Sequence, residues 1–597
     1  MRTEPRVQDQ NAPSLHRARI VVVAITSAVG LSGCGWIESA WKNWFRPRHD
    51  DQLVVPHVTL FEWSMETRFG KFRPANLHVD AYKLSDGTTL YPAKDYSHLI
   101  TDYHVTTDYN YYDRSPCYIH PESYQWGNAC PDHPWSVTFD ASKSTAEGFA
   151  WTVNGGKCDS YSSQKIKCSF PSLKEYTVKL KLLGDRHETD EQKIVLKDLL
   201  IVSLGDSLAS GEGVPDLPTE VVDHFKIDIG IGKPLFIPIV RPAIWEDRQC
   251  HRSARAGPAL AAKAIEDADP HTSVTFVHLA CSGAGIRLGL VDFYPGQEAE
   301  RFTCSTKNVT GLNACAGRQT PHFCVFSDCN RIQRPQIDTL AQLVCPTPIG
   351  IDSHGRIERT CPNGARRIDV LMLSAGANDV GFGEVVKACM LFLNCQNRKT
   401  THGIMWSPEE NAFVRVLRNI DENIAKLASD YRDLSKAIKA KLSVEPNAIF
   451  VTEYPDTTHD EKGNYCNHMG GDARKAARSQ LGKKYLGLMF QDPYDPVVEV
   501  DGIKADEYRW AHNEIVKPLN NAVKAAASEL GWTFVGGIQA EFRQHGLCAE
   551  RKESWVNGLD ASLENQGDYD GTMHPNIPGH ETYKTALTST ITQALRR

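Results

Sequence analysis

The 597-residue chain has no surplus of positive charge: 66 Lys and Arg stand against 73 Asp and Glu, a formal charge of −7. Binding through phosphates wants a basic face, so nucleic acid is excluded as a default partner. Long apolar runs are also scarce. Mean hydropathy is −0.38. The one extended apolar stretch, Ile20 to Leu31, spans 12 residues, against the ~20 that a membrane helix needs, which excludes a polytopic membrane protein. Neither an HExxH pair nor a P-loop occurs in the sequence, so the metalloprotease and nucleotide-binding signatures are both missing. Apolar residues at 41%, charged residues at 23% and aromatics at 9% form an ordinary globular composition, and the length allows about three to five domains.

The N-terminus reads as a targeting segment. His16-Arg17-Ala18-Arg19 is a basic flank, Ile20 to Leu31 an apolar h-region, and Leu31-Ser32-Gly33-Cys34 resembles the lipobox of bacterial lipoproteins. The resemblance implies a signal peptide over 1–34, lipidation of Cys34, and a chain anchored by acyl chains in the bacterial cell envelope, facing periplasm or exterior. A plain signal peptide is the alternative. Gly35 is not an aspartate, which favours the outer membrane. Of the 17 cysteines, those left after Cys34 are even in number, as disulfides in an oxidising compartment require. Cys117/Cys130, Cys158/Cys168 and Cys389/Cys395 are local candidates. Cys304, Cys315, Cys324, Cys329, Cys345 and Cys361 crowd an insertion at 300–362 and admit many pairings. Cys324 and Cys329 lack a second Cys or His pair at finger spacing, so disulfide is preferred to zinc there.

Residues 35–56 form a spacer with Trp36, Trp41, Trp44 and basic side chains. The region 57–197 is strand-like. In Tyr176 to Leu182 the residues Tyr176, Val178, Leu180 and Leu182 alternate with Thr177, Lys179 and Lys181, a strand with one buried and one wet face. Val137 to Ser144, Phe149-Ala150-Trp151 and Tyr176 to Leu180 resemble a PKD-type immunoglobulin-like β-sandwich, over about 137–197. Glu175 stands where that family usually has glycine. From 198 to 597 short apolar runs (Leu199–Leu204, Val274–Leu279, Val370–Leu373, Ile449–Val451, Trp532–Val535) alternate with helical stretches at Arg255–Ala268, Glu409–Leu442 and Ala505–Leu530. Such alternation predicts an α/β domain with a mainly parallel sheet, whose active groups gather beyond the carboxyl ends of the strands.

Four of the loops that follow carry chemistry. The first strand enters Gly205-Asp206-Ser207-Leu208, where a glycine lets the chain turn and a serine hydroxyl project. Serine is a weak nucleophile without an adjacent base and N–H donors for the oxyanion. Ala280-Cys281-Ser282-Gly283-Ala284-Gly285 and Gly376-Ala377-Asn378-Asp379 supply candidate donors, and Asp570-Gly571-Thr572-Met573-His574-Pro575-Asn576 an imidazole. Ser282 and Ser374 are rival nucleophiles outside the strand–Gly-x-Ser setting, and His580 reads as a solvated or capping residue.

These blocks, in this order, resemble the SGNH (GDSL) hydrolase superfamily. Cys250-His251-Arg252-Ser253 and Ser554-Trp555-Val556-Asn557 resemble its Streptomyces-type extracellular lipase/esterase branch. The resemblance implies an SGNH-hydrolase-like three-layer α/β sandwich preceded by the all-β PKD-like domain, and a carboxylic ester hydrolase working through an acyl-enzyme without metal or cofactor. It implies Ser207 as nucleophile, His574 as base, and Ser207, Gly283 and Asn378 as oxyanion donors. By the same analogy Cys250 pairs with Cys281, Cys389 with Cys395 and Cys466 with Cys548. The family places an aspartate three residues before the histidine, where this chain has Gly571. Asp570 is the expected orienter, with Asp568 or a main-chain carbonyl as alternatives. The expected substrate is an acyl-lipid ester. A carbohydrate O-acetylesterase and a non-catalytic surface protein whose β-sandwich engages glycan or protein are the competing readings. Tyr109, Tyr111 and Tyr112 are candidates for sugar stacking. The Ile- and Pro-rich stretch between Gly213 and Cys250 is a candidate lid, acyl groove or core segment.

Overall fold

Five apolar runs build one parallel sheet in the order Thr272–His278, Lys197–Gly205, Val370–Ser374, Ile449–Thr452 and Thr533–Val535. They are continuous in apolar residues because both faces are covered. Leu200, Val202 and Leu204 pack on one face with Leu427, Tyr431, Leu434, Leu519 and Val523, which belong to the helices Ile420–Lys441 and Lys517–Leu530. Ile201, Phe276, Met372 and Phe450 pack on the other face with Ala259, Ile265, Leu587 and Ile591, from the helices Gly257–Ala268 and Ile577–Leu595. The result is a helix–sheet–helix sandwich. Register sets its working edge. Ser203 lies opposite His278, Gly205 opposite Ser374, Leu373 opposite Val451, and Thr452 opposite Val535. The loops after these strands therefore start side by side.

The computed structural model describes residues 59–66, 82–83, 89–90, 135–184, 188–227, 235–241, 243, 245–294, 296–297, 334–345, 347–351, 357–361, 364–383, 385, 389, 396, 400–407, 412–468 and 503–596. The export segment with Cys34, the spacer 35–56, Cys117, Cys130, Cys304, Cys315, Cys324, Cys329, Cys395 and the tyrosines 109–112 lie outside the described residues. Among the described residues no helix is long and apolar enough to cross a membrane.

Ahead of the parallel sheet, two antiparallel sheets share a separate core. One has the order Glu62–Met65, Trp135–Asp140, Lys165–Phe170, Lys157–Cys158, and the other Gly148–Val153, Glu175–Leu183, Thr189–Val195. Tyr176, Val178, Leu180 and Leu182 point inward and the lysines between them outward, as period-two alternation requires. Phe61, Phe139 and Trp151 meet edge-on or tilted at ring separations of 5.1–6.0 Å. Cys158 is bonded to Cys168 across neighbouring strands. Met65 donates its N–H to Pro270 O at 2.7 Å, and the Trp63 ring lies 4.3 Å from His271, so this β unit abuts the loop that opens strand Thr272–His278.

The helical reading of Glu409–Leu442 holds only in its second part. Ala412–Asn419 is a strand, paired antiparallel with Thr400–Ser407, and the helix begins at Ile420. Asn419 is the reason for the break. Its side chain accepts from Asp421 N, with Asp421 and Glu422 in the first turn, a strong N-terminal cap. Upstream, Val414 and Val416 flank Arg415 in a β-compatible alternation that also mimics helical spacing. The stretch between Gly213 and Cys250 contains a hairpin, Glu220–Ile227 against Leu235–Arg241, whose side chains lie outside the description.

Leu180 has no exposed surface. Leu180→Ala is expected to destabilise the protein by ~2–5 kcal/mol, read as a lower midpoint in denaturant unfolding. An unchanged midpoint would show that the sandwich core does not contribute to the measured transition.

Candidate active site

Gly205 makes the turn at the end of the first strand. Its φ is +135°, and a Cβ there would stand 2.1 Å from Ser374 O, so only glycine fits. Gln336 clamps the same residue, accepting from Gly205 N at 2.7 Å and donating to Gly205 O at 2.8 Å. Asp206 then caps the short helix Ser207–Ser210 by accepting from Leu208 N. From Leu200 to Leu217 every residue is buried except Ser207. Gly283, Asn378 and His574 are likewise partly exposed. The rival serines Ser282 and Ser374 are both buried.

His574 Nε2 and Ser207 Oγ lie 2.8 Å apart, although 367 positions separate them in the chain. The segment that carries the imidazole is held from behind. Asn557 donates its N–H to His574 O and accepts from Met573 N, both at 2.9 Å. The Asn557 amide also donates to Gly213 O at 3.1 Å, tying this segment to the chain just past the serine helix. Met573 adopts φ +66°, a left-handed conformation that a non-glycine residue holds only when its surroundings impose it.

The two candidate oxyanion loops are joined to each other. Asn378 Nδ2 donates to Ala284 O at 2.8 Å, and Ile286 N donates to both Asp379 oxygens at 2.9–3.0 Å. Gly283 sits at φ +80°, where a Cβ would meet Tyr294 Oη at 2.1 Å. That hydroxyl donates to Ser282 O at 2.5 Å, and Cys250 is bonded to Cys281 beneath it. Cys345 is bonded to Cys361, and Cys466 to Cys548. Cys389 is also in a disulfide, with a partner outside the described residues.

Around the imidazole the carboxylates are not arranged as a simple triad. The Asp570 carboxylate accepts from Gln297 Nε2 at 2.8 Å, and Asp568 Oδ1 accepts from Gln566 Nε2 at 2.6 Å. Among the described residues His574 Nδ1 has no hydrogen-bond partner. The main-chain carbonyls of Asp570 and Thr572 nevertheless face the ring and favour its protonated form. A Cβ on Gly571 would stand 2.6 Å from Gln566 Oε1 and 2.9 Å from Ser562 Oγ, so a side chain there requires the Gln566 amide to shift. His580 is fully buried rather than solvated, and its Nδ1 accepts from Gly257 N at 3.2 Å.

Sequence reasoning missed Glu212. It is fully buried, contacts His251 Nδ1 at 2.8 Å and accepts from Gln566 Nε2 at 2.6 Å. Burial pushes its carboxyl up, but the charge and hydrogen bond of His251, the charge of His574 and a bond from Ser282 outweigh that and hold it well below the usual range. The His251 ring is stacked on Trp245 at 4.6 Å. The only available signal was the position of Glu212, five residues after Ser207. Burial lowers the pKa of His574, opposed by the charges of Glu212 and Asp570, so its neutral, proton-accepting form is favoured.

No family model matches the chain, and no curated protein matches it. Solved structures that match include a phospholipase A1 from Streptomyces albidoflavus NA297, 18% identical, with a TM-score of 0.30 over 66% of this chain and 98% of that one. A carbohydrate esterase is 12% identical, with a TM-score of 0.22 over 77% of this chain and 91% of that one. At TM-scores this low neither likeness bears on the assignment.

Asp206 is fully buried and accepts from Tyr454 Oη at 2.6 Å. Desolvation raises its pKa to about 6 from 3.8, despite the hydrogen bonds from Tyr454 Oη and Leu208 N. The folded state therefore keeps a proton that the unfolded chain releases, and this stabilisation is lost as pH rises from ~4 through ~6, amounting to about 3 kcal/mol. In Asp206→Asn that loss is expected to vanish. The difference in stability between wild type and variant, followed from pH 4 to 7 by urea unfolding, measures it, and a pH-independent difference would contradict the shift.

Proposed function

We propose that the protein is a serine ester hydrolase of SGNH (GDSL) type, with Ser207 as nucleophile and His574 as general base. One observation carries this reading: the 2.8 Å contact between Ser207 Oγ and His574 Nε2, made at the single partly exposed point of an otherwise buried strand–helix turn. In the first half-reaction Oγ bonds to the acyl carbon while its proton passes to Nε2. The carbonyl oxygen takes the negative charge, met by the N–H groups of Ser207 and Gly283 and by the Asn378 amide. Collapse breaks the carbon–oxygen bond to the alcohol, which leaves with the proton from Nε2. Water repeats the sequence on the acyl-enzyme and releases the acid. Each oxyanion donor is worth ~10²–10³ in rate.

In this reading Asp570 orients the imidazole through its main-chain carbonyl, while its carboxylate adds only long-range stabilisation of the imidazolium. The favoured substrate is an acyl-lipid ester. The chain is held in the cell envelope through Cys34, which the lipobox-like sequence supports. The two antiparallel sheets that precede the parallel one are read as a PKD-type domain, a reading their four-and-three-stranded arrangement supports, and a glycan or protein is its proposed ligand.

Hydrolysis of p-nitrophenyl esters of increasing acyl length tests the assignment. Turnover favouring longer chains is expected. An acetate-only profile favours a carbohydrate O-acetylesterase, and no turnover by the wild type favours a binding protein. Ser207→Ala is expected to lower kcat/KM by at least ~10³-fold with unchanged far-ultraviolet circular dichroism.

Asp570→Ala keeps the carbonyl and removes the carboxylate, so kcat is expected to fall by less than ~10-fold. A loss of the ~10⁴ seen when a triad aspartate is removed would show that the carboxylate is the orienter after all.

A further inference from the structure

Asp456, His459 and His512 lie in a part of the fold that the hydrolytic reading does not use. All three are buried, at 2%, 2% and 6% exposure. One donor atom from each falls within 4.8 Å of the others. Asp456 and His459 follow the strand Ile449–Thr452, and His512 lies in the π-turn Ala511–Val516 between the helices Ala505–Trp510 and Lys517–Leu530. Single π-turns within helices recur at functional sites.

A buried Asp–His hydrogen bond is an ordinary structural device, and it accounts for half of the cluster. His459 Nδ1 stands 3.0 Å from Asp456 Oδ2. It does not account for His512, whose side chain forms no hydrogen bond with any described residue. Its Nδ1 is buried without a partner, and its Nε2 is aimed at Asp456 Oδ2 from 3.7 Å, too far for a hydrogen bond.

We propose that Asp456, His459 and His512 bind one zinc ion. Donor atoms on a tetrahedral zinc at ~2.0–2.1 Å are separated by ~3.3 Å, and the two measured separations, 3.0 and 3.7 Å, bracket that value. Two imidazoles on such an ion bring their ring centroids ~5 Å apart. Here they are 5.0 Å apart and nearly perpendicular, at 81°. Two imidazoles argue against calcium or magnesium, which take oxygen ligands. Three protein donors leave the fourth position to water.

The supporting groups also fit. Asp456 Oδ1 accepts from Thr458 N at 3.1 Å and Thr458 Oγ1 at 2.5 Å, which fixes the carboxylate with Oδ2 turned to the histidines, the kind of outer contact that orients metal ligands. The Tyr465 ring stacks on His459 at 4.5 Å. Cys466 N donates to Thr458 O, and Leu547 N to Thr457 O, each at 2.9 Å. The disulfide between Cys466 and Cys548 closes the loop. On the helix side, Asn520 holds Tyr454 through both main-chain groups, at 2.8 and 2.9 Å. Zinc would add a second clamp between the same loop and the same helical segment. It would brace Tyr454, whose hydroxyl holds Asp206 next to Ser207. The proposal stands independently of the role assigned to Ser207.

The test uses the full chain without a histidine tag, stripped with chelator and titrated with zinc and, separately, cobalt. The expected result is one zinc per chain by elemental analysis, visible ligand-field bands of four-coordinate Co2+, and a thermal midpoint that rises on zinc addition and falls on chelation. His512→Ala and, as a more conservative change, His512→Gln are expected to lose at least ~10-fold in zinc affinity. Absence of stoichiometric zinc in the wild type, cobalt spectra of six-coordinate type, or equal zinc affinity in a folded His512 variant would each overturn the proposal. If neither variant folds, the cobalt spectrum of the wild type still decides it.

Discussion

The chain passes from strand to helix at Gly205 so close to the neighbouring strand that no side chain fits between them. Gly205 N–H and C=O are taken up by one glutamine amide, and Asp206 N is bonded to Ser374 O at 2.9 Å. The position of Ser207 is thus dictated by main-chain contact between two parallel strands rather than by its own side chain. Everything around the candidate centre inherits this constraint. Cys281 N reaches Gly205 O at 3.0 Å, so the loop bearing Gly283 is hung from the same residue. The register that sets Gly205 opposite Ser374 places the Asn378 loop beside it.

Behind this edge the protein buries an unusual amount of charge. Asp206, Glu212, Asp216 and His251 are all at or near zero exposure. The environments differ and the outcomes diverge. Asp206 receives neutral donors and is pushed up to about 6. Asp216 is raised to the same value by desolvation, against bonds from Ala254 and Ser253 and the charge of Arg255. Glu212 faces two imidazoles and stays ionised. A carboxylate held charged within reach of His574 favours a positive imidazole, whereas burial opposes it. Such opposed pressures on one group are common where a proton must move in both directions. In our reading they share among several groups the work that a single triad aspartate does elsewhere.

Much of the α/β frame was legible because its strands are buried on both faces and read as short apolar runs bounded by glycine and polar residues. The alternation from Tyr176 to Leu182 was legible for the opposite reason, since one face is wet. The stretch from Glu409 was misread because Val, Leu and Arg spacing there satisfies a helix and a strand alike, and the cap at Asn419 decides between them. His580 was read as solvated or capping; it is buried and accepts from the first N–H of the helix Gly257–Ala268, a partner that a histidine one turn into a C-terminal helix gives no local sign of. Glu212 and the meeting of His512 with Asp456 and His459 left almost no trace in the sequence, because their partners come from segments far away along the chain.

The order of the short motifs, the period of the strands, the cysteine parity and the N-terminal lipobox-like pattern are properties of local sequence, and they needed no coordinates. Which atoms meet was a different matter. That the Asp570 carboxylate turns to Gln297 while its carbonyl turns to the imidazole, that Gly571 sits against the Gln566 amide, and that His512 is left facing Asp456 all depend on close packing between distant segments. Local propensity acts over a few residues and sets the elements. Exclusion of volume and the satisfaction of buried polar groups act across the whole fold, and only the assembled chain decides them.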